Sequence, residues 1–270
     1  MMKQRVLVAA VGIPFLVLVL VWAPDWATAV LVAAMCAVGA YELMHAVTGE
    51  RKDWFLLLLP SVLGASLNLW IYAKWGEPWL VWFTFLAALF LYSILHYGRK
   101  DAVLFSDMTA SLFAGVVFPL MLSCLLRLRI TDYGVILVFV PLAISFGSDT
   151  FALFAGMLCG KHKLAPHVSP KKTVEGSVGG LLGAVFGLLL VKWFAYGFAG
   201  LVFLTYWQAL LFGVLGSVIS QIGDLSFSVI KREYGIKDYG NLLPGHGGIL
   251  DRFDSVAFVA PFVWLLFRIL

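Results

Sequence analysis

The chain is built from a succession of apolar runs, each about 20 residues long. That is the length a helix rising about 1.5 Å per residue needs to cross roughly 30 Å of hydrocarbon. The runs fall at roughly 6–23, 26–46, 54–73, 78–97, 107–126, 134–158, 174–198, 202–230 and 253–269. A segment in lipid must satisfy its own backbone hydrogen bonds, so each run is expected to be a helix. The expected fold is therefore an all-α, polytopic integral membrane protein with nine spans. Charged residues occupy 13% of the 270 positions, about half the ~25% of a soluble domain, which excludes an ordinary soluble fold.

The first run has some marks of a secretory signal, since Lys3 and Arg5 precede it and Ala27-Thr28-Ala29 resembles a cleavage site. Signal cores span about 7–15 residues, however, and this run is longer and is followed by eight more. Cys36, Cys124 and Cys159 lack the spacing of metal ligands and read as small core residues.

Charge placement sets the orientation. Fourteen of the nineteen Lys and Arg residues fall on the side that holds the N-terminus, which makes that side cytoplasmic and puts the C-terminus outside. The net charge of +4 is thus accounted for by topology, and no nucleic-acid partner is implied. On the cytoplasmic side only the loops 159–173 and 231–252 are both long and polar. An active site for a charged cytosolic substrate belongs there, although topogenic charge alone would also explain the lysines.

Asp149 and Asp224 lie inside apolar runs, where an ionised carboxylate costs about 2.5–3.5 kcal/mol on insertion scales and is retained for a function or a partner. In the eighth run Ser217, Gln221, Asp224, Ser228 and Lys231 recur at helical spacing and share one face. That stripe faces either a polar cleft or neighbouring helices that it binds by hydrogen bonds. The eighth run is unusually long, so its end is expected to protrude from the hydrocarbon or to bend near Gly223. Asp251 opens the ninth run, with Asp254 and Ser255 on its face; a helix cap would explain Asp251 equally well, and capping does not preclude metal binding. Asp107, at the edge of the fifth run, is assigned no chemistry.

Glycines 245, 247 and 248 let a backbone approach phosphate closely, and the helix that follows offers a positive N-terminus. A flexible turn would explain the glycines taken alone. Lys231, Arg232, Lys237 and Arg252 supply countercharge. Gly156 to Lys161 falls one residue short of a P-loop and lacks the hydroxyl residue after its lysine.

From Ser228 to Asp254 the sequence resembles the phosphatidate cytidylyltransferase family at every fixed position of S-x-x-K-R-x4-K-D-x-G-x2-L-P-x-H-G-G-x2-D-R-x-D. A second block is similar to that family: Asp149, Gly156, Gly160, then Ser169-Pro170-Lys171-Lys172-Thr173-x-Glu175-Gly176. The two blocks cover about the C-terminal 45% of the chain. The resemblance implies attack by a phosphatidate oxygen on the α-phosphorus of CTP, giving CDP-diacylglycerol and pyrophosphate.

The resemblance also implies Mg²⁺, with room for a second metal ion, held first by Asp224 and Asp251 and then by Asp149 and Asp254. Lys231, Arg252 and His246 join Asp224 and Asp251 as catalytic candidates, with His246 expected to position substrate rather than act as a base. Ser169, Lys171, Lys172, Thr173, Glu175, Ser228, Arg232, Lys237, Asp238, Gly247 and Gly248 are the substrate-binding candidates. Residues 1–270 then read as one membrane-embedded domain, 1–130 as scaffold spans and 134–270 as catalytic spans and loops. The bacterial inner membrane is the expected location, with CTP, phosphatidate and the bilayer as partners. Gly176, Gly180, Gly183 and Gly187 allow close helix approach, either within one chain or across a homodimer.

Two rival functions follow from the same residues. A CTP-dependent lipid kinase would move the γ-phosphoryl group with similar lysines and metals. A cation- or proton-coupled transporter would use Asp149 and Asp224 as carriers, but needs polar groups leading to the far side.

Overall fold

The computed structural model describes residues 2–51, 53–76, 79–99, 102–242 and 247–269; for residues 2–9 and Glu50 it describes the backbone alone. Among these residues each expected span is a helix: α1 Met2–Val21, α2 Asp25–Thr48, α3 Trp54–Ala73, α4 Trp79–His96, α5 Phe105–Arg129, α6 Gly134–Cys159, α7 Val174–Ala199, α8 Tyr206–Glu233 and α9 Leu250–Ile269. Helices α2 to α8 are the seven both long and apolar enough to cross a membrane among the described residues. In α1 the described apolar stretch is Ala10–Val21. Helix α9 carries Asp251, Arg252 and Asp254 at its start and Arg268 in its last turn. The protein is an all-α, multi-pass membrane protein, and large apolar side chains such as Phe83, Leu158 and Phe198 lie exposed on it, as lipid-facing surfaces require.

Local chemistry sets several of the helix ends. Asp53 caps α3 by accepting from the amides of Phe55 and Leu56 at 3.0 and 3.2 Å. Thr173 Oγ1 accepts from Gly176 N at 3.1 Å and caps α7, and Gly200, at φ +62°, ends that helix in the left-handed conformation that glycine tolerates.

The sequence pattern did not announce one element. Between α6 and α7 the chain forms an antiparallel hairpin of β1 Lys163–Ala165 and β2 Ser169–Thr173. Its entry is held by Glu175, whose carboxylate accepts from Lys161 N at 3.1 Å and His162 N at 3.2 Å and meets His162 Nδ1 at 2.7 Å.

The chain divides into two compact units, Met1–Leu126 with Tyr234–Arg252, and Arg127–Glu233 with Phe253–Leu270. In the first unit Gly240, Gly248, Ile249 and Leu250 pack against Glu42 of α2. In the first unit small residues let helices touch: Gly39 lies against Phe118, Gly64 against Pro119 and Cys36, and Gly115 against Pro60. Asp107 is not idle here. It forms a bidentate pair with Arg51 at 2.8 and 3.0 Å, which raises the guanidinium's pKa further, and it accepts from Leu104 N at 2.9 Å.

In the second unit α6 and α7 meet along a glycine seam. A Cβ at Gly183 would collide with Gly147 O, one at Gly187 would press on Ala143 O, and one at Gly176 on Ala152 O. These glycines serve packing within the chain and so give no reason for a homodimer. Beside the seam, Ile144, Ala184, Leu188, Phe212, Val259 and Val263 form the apolar core. Of the cysteines, Cys36 and Cys124 are buried as expected, whereas Cys159 is exposed at the end of α6.

Candidate active site

The polar stripe of α8 faces the interior of the second unit and has two functions along its length. Nearer the middle, Ser217 Oγ lies 2.8 Å from Ser148 Oγ. Gln221 Nε2 donates to Ser217 Oγ and to Ser177 O, each at 3.1 Å, while Ser177 Oγ donates to Gln221 Oε1. This half binds α6, α7 and α8 together, as the packing alternative expected. Helix α8 runs unbroken through Gly223, whose missing side chain lets Phe258 approach. With 28 residues it is about 42 Å long at 1.5 Å per residue, longer than a ~30 Å hydrocarbon layer is thick.

The other half of the stripe carries the charge. Asp224 forms a salt bridge with Lys172 of β2, each side chain 26% exposed, and accepts from Ser228 Oγ at 3.3 Å. Asp254, one turn into α9, is 6% exposed. Its Oδ1 accepts from Ser255 N at 2.7 Å, and the charges of Asp224, Lys231 and Asp149 act on its carboxyl. Lys231 is itself buried, at 8% exposure. Arg232 Nε donates to Val168 O at 3.1 Å and so ties the end of α8 to the hairpin. Lys171 points into the open beside Lys172. The second unit thus collects three acids and two lysines from α6, β2, α8 and α9.

Several other candidates have structural partners. Thr173 caps α7 and Glu175 organises the hairpin, as described above. Ser169 pairs with Ala165 within the hairpin. In the first unit Lys237 and Asp238 are exposed on the loop, as is Arg252 at the start of α9. His246 lies outside the described residues. Asp251 Oδ2 accepts from Tyr239 N at 2.8 Å and from Gly248 N at 2.9 Å. The Gly248 amide therefore serves a protein carboxylate, and Gly247, at φ +84°, supplies the left-handed turn that brings it there.

One residue near this loop escaped the sequence reading. Glu42 of α2, only 5% exposed, accepts from Ile249 N at 3.1 Å and Leu250 N at 2.9 Å. At the start of α9, which was expected to offer its amides to phosphate, Ile249 N and Leu250 N donate to Glu42. An acid within an apolar run is the signal that flagged Asp149 and Asp224, and it applies equally to Glu42.

The donors of the second unit suit a hard divalent cation, which takes carboxylate, hydroxyl and phosphate oxygens. Among the described residues no three His, Cys, Asp or Glu side chains form a ready-made cage. A small ion that keeps waters and binds through one or two carboxylates and substrate phosphates needs none.

A multi-pass membrane protein with acids and lysines gathered at one end of its helices is the frame of a lipid-modifying phosphotransfer enzyme, and residues 3–270 match the model of the cytidylyltransferase family. The chain belongs to that family. It is 34% identical to the phosphatidate cytidylyltransferase of Bacillus subtilis strain 168, over 98% of this chain and 97% of the relative. The Thermotoga maritima phosphatidate cytidylyltransferase is 30% identical over 100% of this chain and 97% of its own length. That of Mycobacterium tuberculosis strain H37Rv is 29% identical over 94% of this chain and 79% of its own length. The likeness extends through the first five spans, to which the motif blocks gave no role.

Proposed function

We propose that this protein transfers the cytidylyl group of CTP to phosphatidate, giving CDP-diacylglycerol and pyrophosphate. The single observation that carries the reading is the second unit's charged cluster, in which Asp224 pairs with Lys172 beside Asp254, Asp149 and Lys231, in a chain that belongs to the cytidylyltransferase family.

In the reaction one P–O bond forms and one breaks. An oxygen of the phosphatidate phosphate attacks the α-phosphorus of CTP, and the bond from that phosphorus to the bridging oxygen of the β-phosphate cleaves as pyrophosphate leaves. Phosphatidate is already anionic at neutral pH, so the chain needs no strong base. Its task is to bring anions together and hold them in line.

Lys172 and Lys231, with Lys171 on the open strand, are assigned to phosphate oxygens, where charge-assisted hydrogen bonds are shorter and stronger than neutral ones. Asp224 orients Lys172 through their ion pair; Asp224, Asp149 and Asp254 are the carboxylates that would hold Mg²⁺, one or two of them at a time, with substrate phosphates and water completing its shell. A bound Mg²⁺ would polarise the phosphoryl oxygens and stabilise charge on the leaving pyrophosphate. Asp251 has a share in holding the metal that rests on the family motif, and a second task in ordering the glycine loop. Lys237, Arg252 and His246 are assigned to substrate on the same motif. The site faces the cytoplasm, where CTP is found, from a bacterial inner membrane; the support is the concentration of Lys and Arg in the loops that carry it.

Purified protein in detergent, given phosphatidate, CTP and Mg²⁺, should yield a lipid heavier by one cytidylyl group together with one pyrophosphate per lipid. A lipid heavier by a single phosphoryl group, or CTP consumption without lipid modification, would overturn this reading.

A further inference from the structure

Glu42 lies in a helix that is apolar from Ala29 to Ala40, in the half of the chain that the motif blocks leave without chemistry. A carboxylate in that setting is expensive unless its oxygens are used. Both are. Oε1 accepts from Ile249 N at 3.1 Å and Oε2 from Leu250 N at 2.9 Å, the residue before α9 and the first residue of it. Gly248 and Gly240 pass so close that a Cβ at either would collide with the Glu42 carboxyl group. Asp251 completes the arrangement from the other side by accepting from Tyr239 N and Gly248 N at 2.8 and 2.9 Å.

Four amides, those of Tyr239, Gly248, Ile249 and Leu250, are therefore held by the two carboxylates, two by each. A glycine-rich stretch left to itself would sample many conformations. Its pinning determines where Gly247, Gly248, Asp251 and Arg252 are presented.

We propose that Glu42 is a positioning residue for cytidylyl transfer: from a helix of the N-terminal half it latches Ile249 and Leu250 at the start of α9, and so sets the placement of Asp251 and Arg252. This rests on the function proposed above. Glu42 touches no substrate in this role and acts only through the loop.

The latch can be tested by amide hydrogen exchange and by steady-state kinetics on the whole protein. In the wild type, Ile249 and Leu250 should exchange as slowly as amides inside helices. Exchange there as fast as at exposed Gly235 would overturn the proposal whatever any variant does. Glu42→Gln keeps the length of the side chain but turns an NH₂ group toward one of the two amides, so one bond is lost. It should speed exchange selectively at residues 248–250, leave α3 protected, and lower kcat about 10–100-fold, the loss typical of a residue that orients a ligand from behind. The KM for phosphatidate should change by less than about threefold, because the lysines of the hairpin are untouched. Glu42→Asp, which keeps the charge but withdraws it, should fall between the two. Normal kcat or unaltered exchange in folded Glu42→Gln protein would sink the latch. Absence of lipid product from the wild type would instead sink the function on which it rests.

Discussion

Replacing Asp224 by Asn separates the catalytic reading of the charged cluster from a structural one. In the folded protein Asp224 pairs with Lys172 and accepts from Ser228 Oγ at 3.3 Å. Asn can still accept from Ser228, and the lost ion pair is a quarter exposed on both sides. Such partly solvated pairs contribute on the order of 0.2–1 kcal/mol. The substitution also relieves repulsion with Asp254. The net change in stability should therefore stay below about 1 kcal/mol. Catalysis should respond far more. Metal-assisted stabilisation of charge in the transition state amounts to several kcal/mol, and losing about 3 kcal/mol of it, at 1.36 kcal/mol per decade, lowers kcat at least about 100-fold.

The assay is the initial rate of lipid product at saturating CTP and phosphatidate across a Mg²⁺ titration, with thermal unfolding of the same preparations. Asp132→Asn, in an exposed turn outside both motif blocks, is the control and should retain its rate. Asp107→Asn would be a poor control, because Asp107 forms a bidentate pair with Arg51 and its loss costs stability. A rate within about threefold of wild type at every Mg²⁺ concentration, in folded Asp224→Asn protein, would refute the assignment of metal to Asp224.

Two further outcomes are expected. With Lys171 and Lys172 both replaced by Gln, kcat/KM for CTP or phosphatidate should fall by roughly 10–100-fold, since a hydrogen bond to a charged group contributes about 1.5–3 kcal/mol; unchanged kinetics in inserted protein would leave these lysines a purely topogenic role. In a background with exposed Cys159 replaced by Ser, a cysteine at Lys163 or Asn241 should react with an impermeant thiol reagent only after the membrane is opened, whereas one at Tyr133 should react from outside, and the reverse pattern would invert the orientation.

The helices were legible because lipid leaves a segment little choice but helix, so the apolar runs translate into α1 to α9, of which α2 to α8 are long and apolar enough to cross a membrane among the described residues. The α8 stripe was legible as one face, but not its division into a packing half at Ser217 and Gln221 and a charged half at Asp224, Ser228 and Lys231. That division depends on which residues of α6, α7 and β2 come opposite. The hairpin escaped because a three-residue strand carries no period, and Glu175, whose contacts hold it, is fourteen residues from Lys161. Glu42 escaped for a different reason: its partners are more than 200 residues away in the chain, outside any local pattern. The glycines of the 245–248 stretch were read as openings for phosphate, whereas Gly248 leaves room for a carboxylate.

Cytidylyl and phosphoryl transfer from the same nucleotide differ in which phosphorus reaches the lipid. Purified protein supplied with phosphatidate, Mg²⁺ and CTP labelled separately at the α- and γ-positions should place the α label in the lipid and release the γ label as pyrophosphate. The γ label in the lipid, with the α label left in solution, would contradict the proposed reaction.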